Sequence, residues 1–140
     1  MKEKTFRHLK FDTYKATRKG MPDELAAQLP ITKQVLDALG VTRCEKAGYE
    51  ADDLLGTISR RADEHGDTCV VVTGDRDSLQ LVGGGTTVML VSTRMGQTTY
   101  QTYDTAAFRE KYGFDPIRLI DLKALMGDSS DNIPGVPGIG

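Results

Sequence analysis

The sequence predicts an α/β fold with a mainly parallel sheet flanked by helices, and three observations carry that expectation. Cys69-Val70-Val71-Val72-Thr73 is a continuous β-branched run of the kind a parallel sheet buries on both faces. Before it, Ala51 to Ala62 places Leu54, Leu55, Ile58 and Ala62 at helical spacing and stops short of Gly66. After it, Thr86 to Ser92 reads as a second strand, so helix and strand patterns alternate. Sheets of this kind gather ligands at the carboxyl ends of their strands.

The remaining elements follow from local chemistry. Met1 to Met21 is rich in Lys, Arg and Thr without a sustained apolar stripe, and reads as a loop or mobile arch. Pro22 opens a helical pattern through Leu25 and Leu29, and Pro30 is expected to kink it or split it before Ile31, Val35, Leu36 and Leu39. A short strand is expected over Val41 to Cys44. Ser78 to Val82 reads as a short helix, and Gly83-Gly84-Gly85 as a turn without the spacing of a phosphate loop. Asp104 caps a helix running to Tyr112, and Asp115-Pro116 opens another through Ile117, Ile120, Leu122 and Leu125.

A chain of 140 residues is expected to form one domain with one core. Its divisions are a basic segment at 1–21, an α/β core at 22–126 and a Gly/Pro-rich segment at 127–140. Cys44 and Cys69 form no CxxC or Cys/His pattern, which disfavours zinc and a disulfide framework and suits a reducing cytoplasm. No apolar run approaches the roughly 20 residues of a membrane span. His8 and His65 are the only histidines and read as surface residues, which leaves no His-based triad.

Charge is unevenly placed. Residues 1–20 hold seven Lys or Arg against Glu3 and Asp12, whereas residues 48–80 hold eight acids against Arg60, Arg61 and Arg76. A basic arm beside an acidic segment suits a metal-dependent enzyme acting on a polyanion.

Seven acids make three clusters: Glu50, Asp52 and Asp53; Asp75 and Asp77; Asp128 and Asp131. Crowded carboxylates either hold protons at raised pKa or bind hard cations. Asp75 and Asp77 lie just past the carboxyl end of a central strand. Glu50 and Asp53 are three apart at a helix start, where they share one face, although capping of a helix N-terminus also attracts acids. Asp128 and Asp131 also suit a plain turn. Together the clusters offer enough oxygen for two Mg2+ or Mn2+ ions about 3.5 to 4 Å apart, as in phosphodiester hydrolysis. The absence of His and Cys from them favours hard cations.

GYEADDLLGT, VTGDRDSLQLV and LIDLKALMGDSSDNIPGVPGIG, in that order, resemble the motifs of the 5′-3′ exonuclease, or flap endonuclease, domain of bacterial DNA polymerase I and its stand-alone relatives. FRHLKFDTYKATRKGMPDEL resembles that family's arch and gateway segment. The resemblance implies a PIN-like, Rossmann-like fold and a 5′-3′ exonuclease or 5′-flap endonuclease of DNA replication and repair, working by two-metal-ion catalysis. It implies that Glu50, Asp52, Asp53, Asp75, Asp77, Asp128 and Asp131 hold the metals. Lys15 and Arg18 then engage the scissile phosphate, and Tyr14 either stacks on an unpaired base or packs against the arch. Arg7 and Lys19 join them as DNA-binding residues. Gly135, Val136, Gly138 and Gly140 resemble the hairpin of the family's helix-three-turn-helix, which grips a duplex backbone.

The implied partner is DNA with 5′ ends or flaps, in a cytoplasmic protein in which a polymerase domain can follow. Against the family pattern, two N-terminal strands with their acids and the second clamp helix are missing, so the chain reads as a fragment truncated at both ends. That leaves a catalytically impaired DNA- or metal-binding fragment as an alternative. A phosphatase of the haloacid-dehalogenase type, with Asp75 as nucleophile, is a remote one.

Overall fold

In the computed structural model, which describes residues 4–139, strands β1 (Cys69–Thr73), β2 (Thr86–Arg94) and β3 (Gln97–Tyr103) form one sheet in the order β1-β2-β3. β1 runs parallel to β2, and β3 runs antiparallel to it. The register aligns Val71 with Val88 and Val88 with Tyr103, three side chains at most 3% exposed. This row is the floor of the core. Leu79, Val82, Phe108 and Leu119 complete it, with Leu55, Leu81 and Leu122 packed around them.

The described residues group into two compact units. One comprises residues 4–50 with Ser129–Ile133, and the other Ala51–Asp128 with residues 134–139. The sheet and the whole buried apolar cluster belong to the second.

In that second unit α4 (Ala51–His65) follows the predicted amphipathic pattern and extends three residues beyond it. Its buried Ser59 Oγ meets Thr86 Oγ1 at 2.8 Å, which satisfies two hydroxyls that burial would otherwise penalise. Asp104 Oδ1 accepts the Ala107 N–H at 2.8 Å and caps α5 (Thr105–Tyr112), which ends on left-handed Gly113. Phe108 stacks on Tyr112 with ring centroids 4.5 Å apart and meets Phe114 edge-on at 5.6 Å. α6 (Leu119–Met126) follows a 3-10 turn begun by Pro116.

The sequence reading places no strand at β3. Its residues Gln-Thr-Thr-Tyr-Gln-Thr-Tyr carry no apolar stripe, and every side chain except Tyr103 is exposed. Met95 and Gly96, with φ of 48° and 76°, reverse the chain into this hairpin. The sheet of the described residues is therefore mixed. β1 also departs from burial on both faces: Val71 is buried, but Val70 and Val72 are 58% and 59% exposed, because β1 is an edge strand covered on one face.

In the first unit, Phe6–Lys10 form a short helix, α1, where the sequence suggests a loop. The Thr5 N–H donates to His8 Nδ1 at 3.2 Å and so fixes its entry. Pro30 splits the next helical pattern into α2 (Asp23–Ala26) and α3 (Gln28–Ala38) and sits in the first turn of α3, where no intrahelical N–H is required of it. The strand expected over Val41 to Cys44 is absent. Arg43 there reaches both oxygens of Asp37, at 2.7 and 2.8 Å, and its neighbour Glu45, so side-chain ion pairs hold the segment in place of a ladder. Among the described residues, no helix is long and apolar enough to cross a membrane.

Candidate active site

Several of the predicted site residues form two constellations, one in each unit, in which carboxylates face protein cations.

In the first unit, residues Thr13 to Arg18 are held against residues 130–132 by main-chain and side-chain bonds. The Lys15 N–H donates to the Asp131 carbonyl at 2.9 Å, and Asn132 Nδ2 donates to the Thr13 carbonyl at 2.8 Å. Lys15 and Asn132 both have left-handed backbones, with φ of 56° and 58°. For a lysine this conformation is costly, and such cost is kept where the surroundings fix the residue. The conformation brings Lys15 Nζ to both oxygens of Glu50, at 2.9 and 2.8 Å, with Asp131 Oδ2 at 3.8 Å. The Tyr14 hydroxyl lies 3.0 Å from Glu50 Oε2 and 3.2 Å from Asp131 Oδ2, and its single proton serves one at a time. Arg18 pairs with Asp131 Oδ1 and donates from Nε to the Ser130 carbonyl at 3.2 Å.

The electrostatics of this group follow from its contacts. Burial alone would pull the Lys15 ammonium down, but its hydrogen bonds to Glu50 and Tyr14 outweigh that and hold it above the usual lysine range. Burial likewise opposes ionisation of Glu50, and the bonds from Lys15 and Tyr14 prevail, so its carboxyl lies below the usual range. The Tyr14 phenol is pushed up, chiefly by burial; the Lys15 bond pulls it back and Glu50 adds to the rise.

Two expectations change here. Tyr14 is only 6% exposed, with the His8 ring edge-on at 5.1 Å and Lys15 Nζ 4.8 Å from its ring centre. It orients Glu50 and Asp131 and offers no open face for base stacking. His8, expected at the surface, packs on Tyr14 and caps α1. Arg7 on α1 lies 4.5 Å over the Phe6 ring, and Lys19 is exposed beyond the turn.

In the second unit, Asp75 and Asp77 leave the carboxyl end of β1 as the strand reading requires. Asp75 Oδ1 accepts the Asp77 N–H at 2.9 Å and caps the 3-10 helix Arg76–Leu81, while the Asp75 N–H donates to Thr73 Oγ1 at 3.0 Å. Buried Ser78 and Leu79 anchor that turn in the core. Gly127, with φ of 72°, ends α6 and turns the chain so that Asp128 folds back toward Lys123. Lys123 Nζ then joins Asp77 Oδ1 at 2.9 Å and Asp128 Oδ2 at 3.1 Å. These bonds, that to Asp77 foremost, hold the ammonium above the usual lysine range against the opposing effect of burial. Lys123 escapes sequence reasoning because it is a lone cation in the apolar run LIDLKALM; its place five residues before Asp128 is the signal that points to it.

Asp52 and Asp53 occupy the first turn of α4, where the helix dipole favours acids. The helix begins at Ala51, so Glu50 immediately precedes it.

The hairpin glycines separate by cause. A Cβ on Gly135 would lie 2.2 Å from the Met126 carbonyl oxygen, and the Val136 N–H donates to the Leu125 carbonyl at 2.7 Å. Gly135 is thus needed for packing against the end of α6. Gly138 has open space around it and a left-handed φ of 84°. Gly140 lies outside the described residues.

Among the described residues, no three His, Cys, Asp or Glu side chains are grouped as a metal site. The donor chemistry nevertheless fits a hard cation, because Asp77 and Asp128, from different elements, already converge on one positive centre through carboxylate oxygen alone.

Residues 1–113 match the family model for the 5′-3′ exonuclease, N-terminal resolvase-like domain. The chain is 47% identical over 136 residues to DNA polymerase I of Bacillus subtilis (strain 168), covering 97% of this chain and 15% of that protein. It is 43% identical over 139 residues to thermostable DNA polymerase I of Thermus filiformis, of which it covers 16%. The chain thus spans about one sixth of the polymerases it matches. Its fold is similar to that of the bacteriophage T5 flap endonuclease in a complex with DNA and metal ions, with TM-score 0.75, 26% identity and coverage of 99% of this chain and 53% of that one. It is similar, too, to the T5 5′-exonuclease with zinc bound, with TM-score 0.72, 26% identity and coverage of 99% and 53%.

Proposed function

Because the chain belongs to the 5′-3′ exonuclease, N-terminal resolvase-like domain family, we propose that it carries the hydrolytic machinery of a 5′-3′ exonuclease or 5′-flap endonuclease that cuts DNA phosphodiester bonds with two divalent cations. The observation that supports this reading most is the pairing of phosphate-competent cations with acids: Lys15 on Glu50 and Arg18 on Asp131.

In this reading Glu50, Asp52, Asp53, Asp75, Asp77, Asp128 and Asp131 are the metal ligands. Two Mg2+ or Mn2+ ions, when bound, would lower the pKa of the attacking water and neutralise charge on the leaving oxygen. The chain's own residues do the rest. Lys15 and Arg18 exchange a carboxylate partner for the scissile phosphate, Arg18 with the flat fork that suits phosphate oxygens. Tyr14 keeps Glu50 and Asp131 oriented by sharing one proton between them. Arg7 and Lys19 add positive charge along the arm, and the main chain at Gly138 takes up duplex phosphate without reading sequence. The polymerases among its relatives suggest that this nuclease works beside a polymerase domain. No specific feature of the described residues favours an aspartyl-phosphate mechanism at Asp75.

The test is cleavage of a labelled 5′-flap duplex by the protein with Mg2+, with Mn2+ and with excess EDTA. Cleavage with either metal and its loss in EDTA support the proposal. Cleavage that survives EDTA refutes it.

A further inference from the structure

We propose that Lys123 is the resident counter-ion of the Asp77–Asp128 pair and competes with the divalent cation for it, an inference that rests on the reading of these two acids as metal ligands.

Both carboxylates are presented by fixed backbone. Asp77 follows its cap Asp75 in a turn whose next two residues are buried, and Asp128 follows left-handed Gly127, whose N–H donates to the Lys123 carbonyl at 2.8 Å. Two acids so placed repel each other unless a positive charge lies between them. The ammonium of Lys123 supplies that charge, at 2.9 and 3.1 Å from the two oxygens.

A divalent cation drawn to the same oxygens would meet the ammonium at close range, and the two positive centres repel. One of them has to leave. The lysine is the one able to: its flexible four-carbon stem rises from the end of α6, and its side chain is 39% exposed, so a path to solvent is open. The carboxylates, held by their turns, stay in place to receive the metal. Lys123 is therefore a positioning residue in two senses. Without metal it keeps the acid pair together, and with metal it sets how much free cation is needed to displace it.

Removing the ammonium has opposite effects on the two states. The metal-free fold loses its counter-charge, while the competition that weakens metal binding disappears. A merely structural lysine would give only the first effect.

The experiment is calorimetric titration of Mn2+ into the chain at constant pH and ionic strength, with thermal melting of each variant with and without Mn2+. Lys123→Met keeps most of the stem and removes the charge; Lys123→Gln is a second neutral form, and Lys123→Arg restores the charge. The expected result is about 5- to 50-fold tighter Mn2+ binding in both neutral variants, lower metal-free melting temperatures, and parent-like values for Lys123→Arg. Asp77→Asn and Asp128→Asn are expected to weaken binding sharply. Unchanged or weaker Mn2+ affinity in both neutral variants, with the Asn variants still impaired, overturns the competition and leaves the metal reading standing. Mn2+ affinity that neither Asn variant alters, or no Mn2+ binding by any form, overturns the metal reading and the role of Lys123 together.

Discussion

The Lys15 ammonium donates to both oxygens of Glu50, at 2.9 and 2.8 Å, from a residue whose backbone is left-handed. Their side chains are 19% and 18% exposed, so this pair is screened less than a surface ion pair. A double-mutant cycle of Lys15→Met and Glu50→Gln, measured by urea unfolding, is expected to give a coupling of about 1.5–3 kcal/mol.

The same pair sets a pH window. The Glu50 carboxyl lies below its usual 4.5, so its contribution is complete above that value and is lost as pH falls through the lower folded value. The Lys15 ammonium lies above its usual 10.5, so its contribution is complete below that value and is lost as pH rises through the higher folded value. Unfolding between pH 3 and 6 should show a shallower acid loss in Lys15→Met than in the parent, because Glu50 then folds with a more ordinary acidity.

Asp75 combines a cap with its proposed metal role, and two substitutions separate them. Asp75→Asn keeps an acceptor for the Asp77 N–H and should melt near the parent, with flap cleavage reduced by about 100-fold or more. Asp75→Ala should lose cleavage to the same degree and also about 1 kcal/mol of stability, the usual worth of a cap. Cleavage near the parent level in Asp75→Asn would contradict the metal role.

Gly135 and Gly138 predict different outcomes from one substitution. Gly135→Ala drives a methyl into the Met126 carbonyl and should cost about 1–3 kcal/mol. Gly138→Ala meets no atom but must hold a left-handed backbone, at about 1–2 kcal/mol. If Gly135 mattered only for approach to phosphate, Gly135→Ala would leave denaturant stability unchanged and weaken DNA binding alone.

How far the sequence carries the fold depends on where burial writes a pattern. α4, β1, β2 and α5 are legible because Leu55, Val71, Val88 and Phe108 face one core. β3 is not, since its exposed Thr and Gln residues leave no apolar period, and only the turn at Met95-Gly96 marks it. In the site, the acids are legible as clusters because each lies within a short stretch of chain. The cations that neutralise them are not: Glu50 meets Lys15 across 35 residues, and Asp131 meets Arg18 across 113. The burial of Tyr14 is illegible for a related reason, since a tyrosine in a basic segment gives no sign that folding will seal it beneath His8 and two acids.

The most direct measurement compares two substrates that differ only in polarity, a duplex with a 5′ flap and one with a 3′ flap of equal length, cut by the protein in Mg2+ under single-turnover conditions. The expected result is incision of the 5′ flap with little action on the 3′ flap, and slower incision in Lys15→Met without loss of fold. Equal cutting of both substrates, or a Lys15→Met protein as fast as the parent, would contradict it.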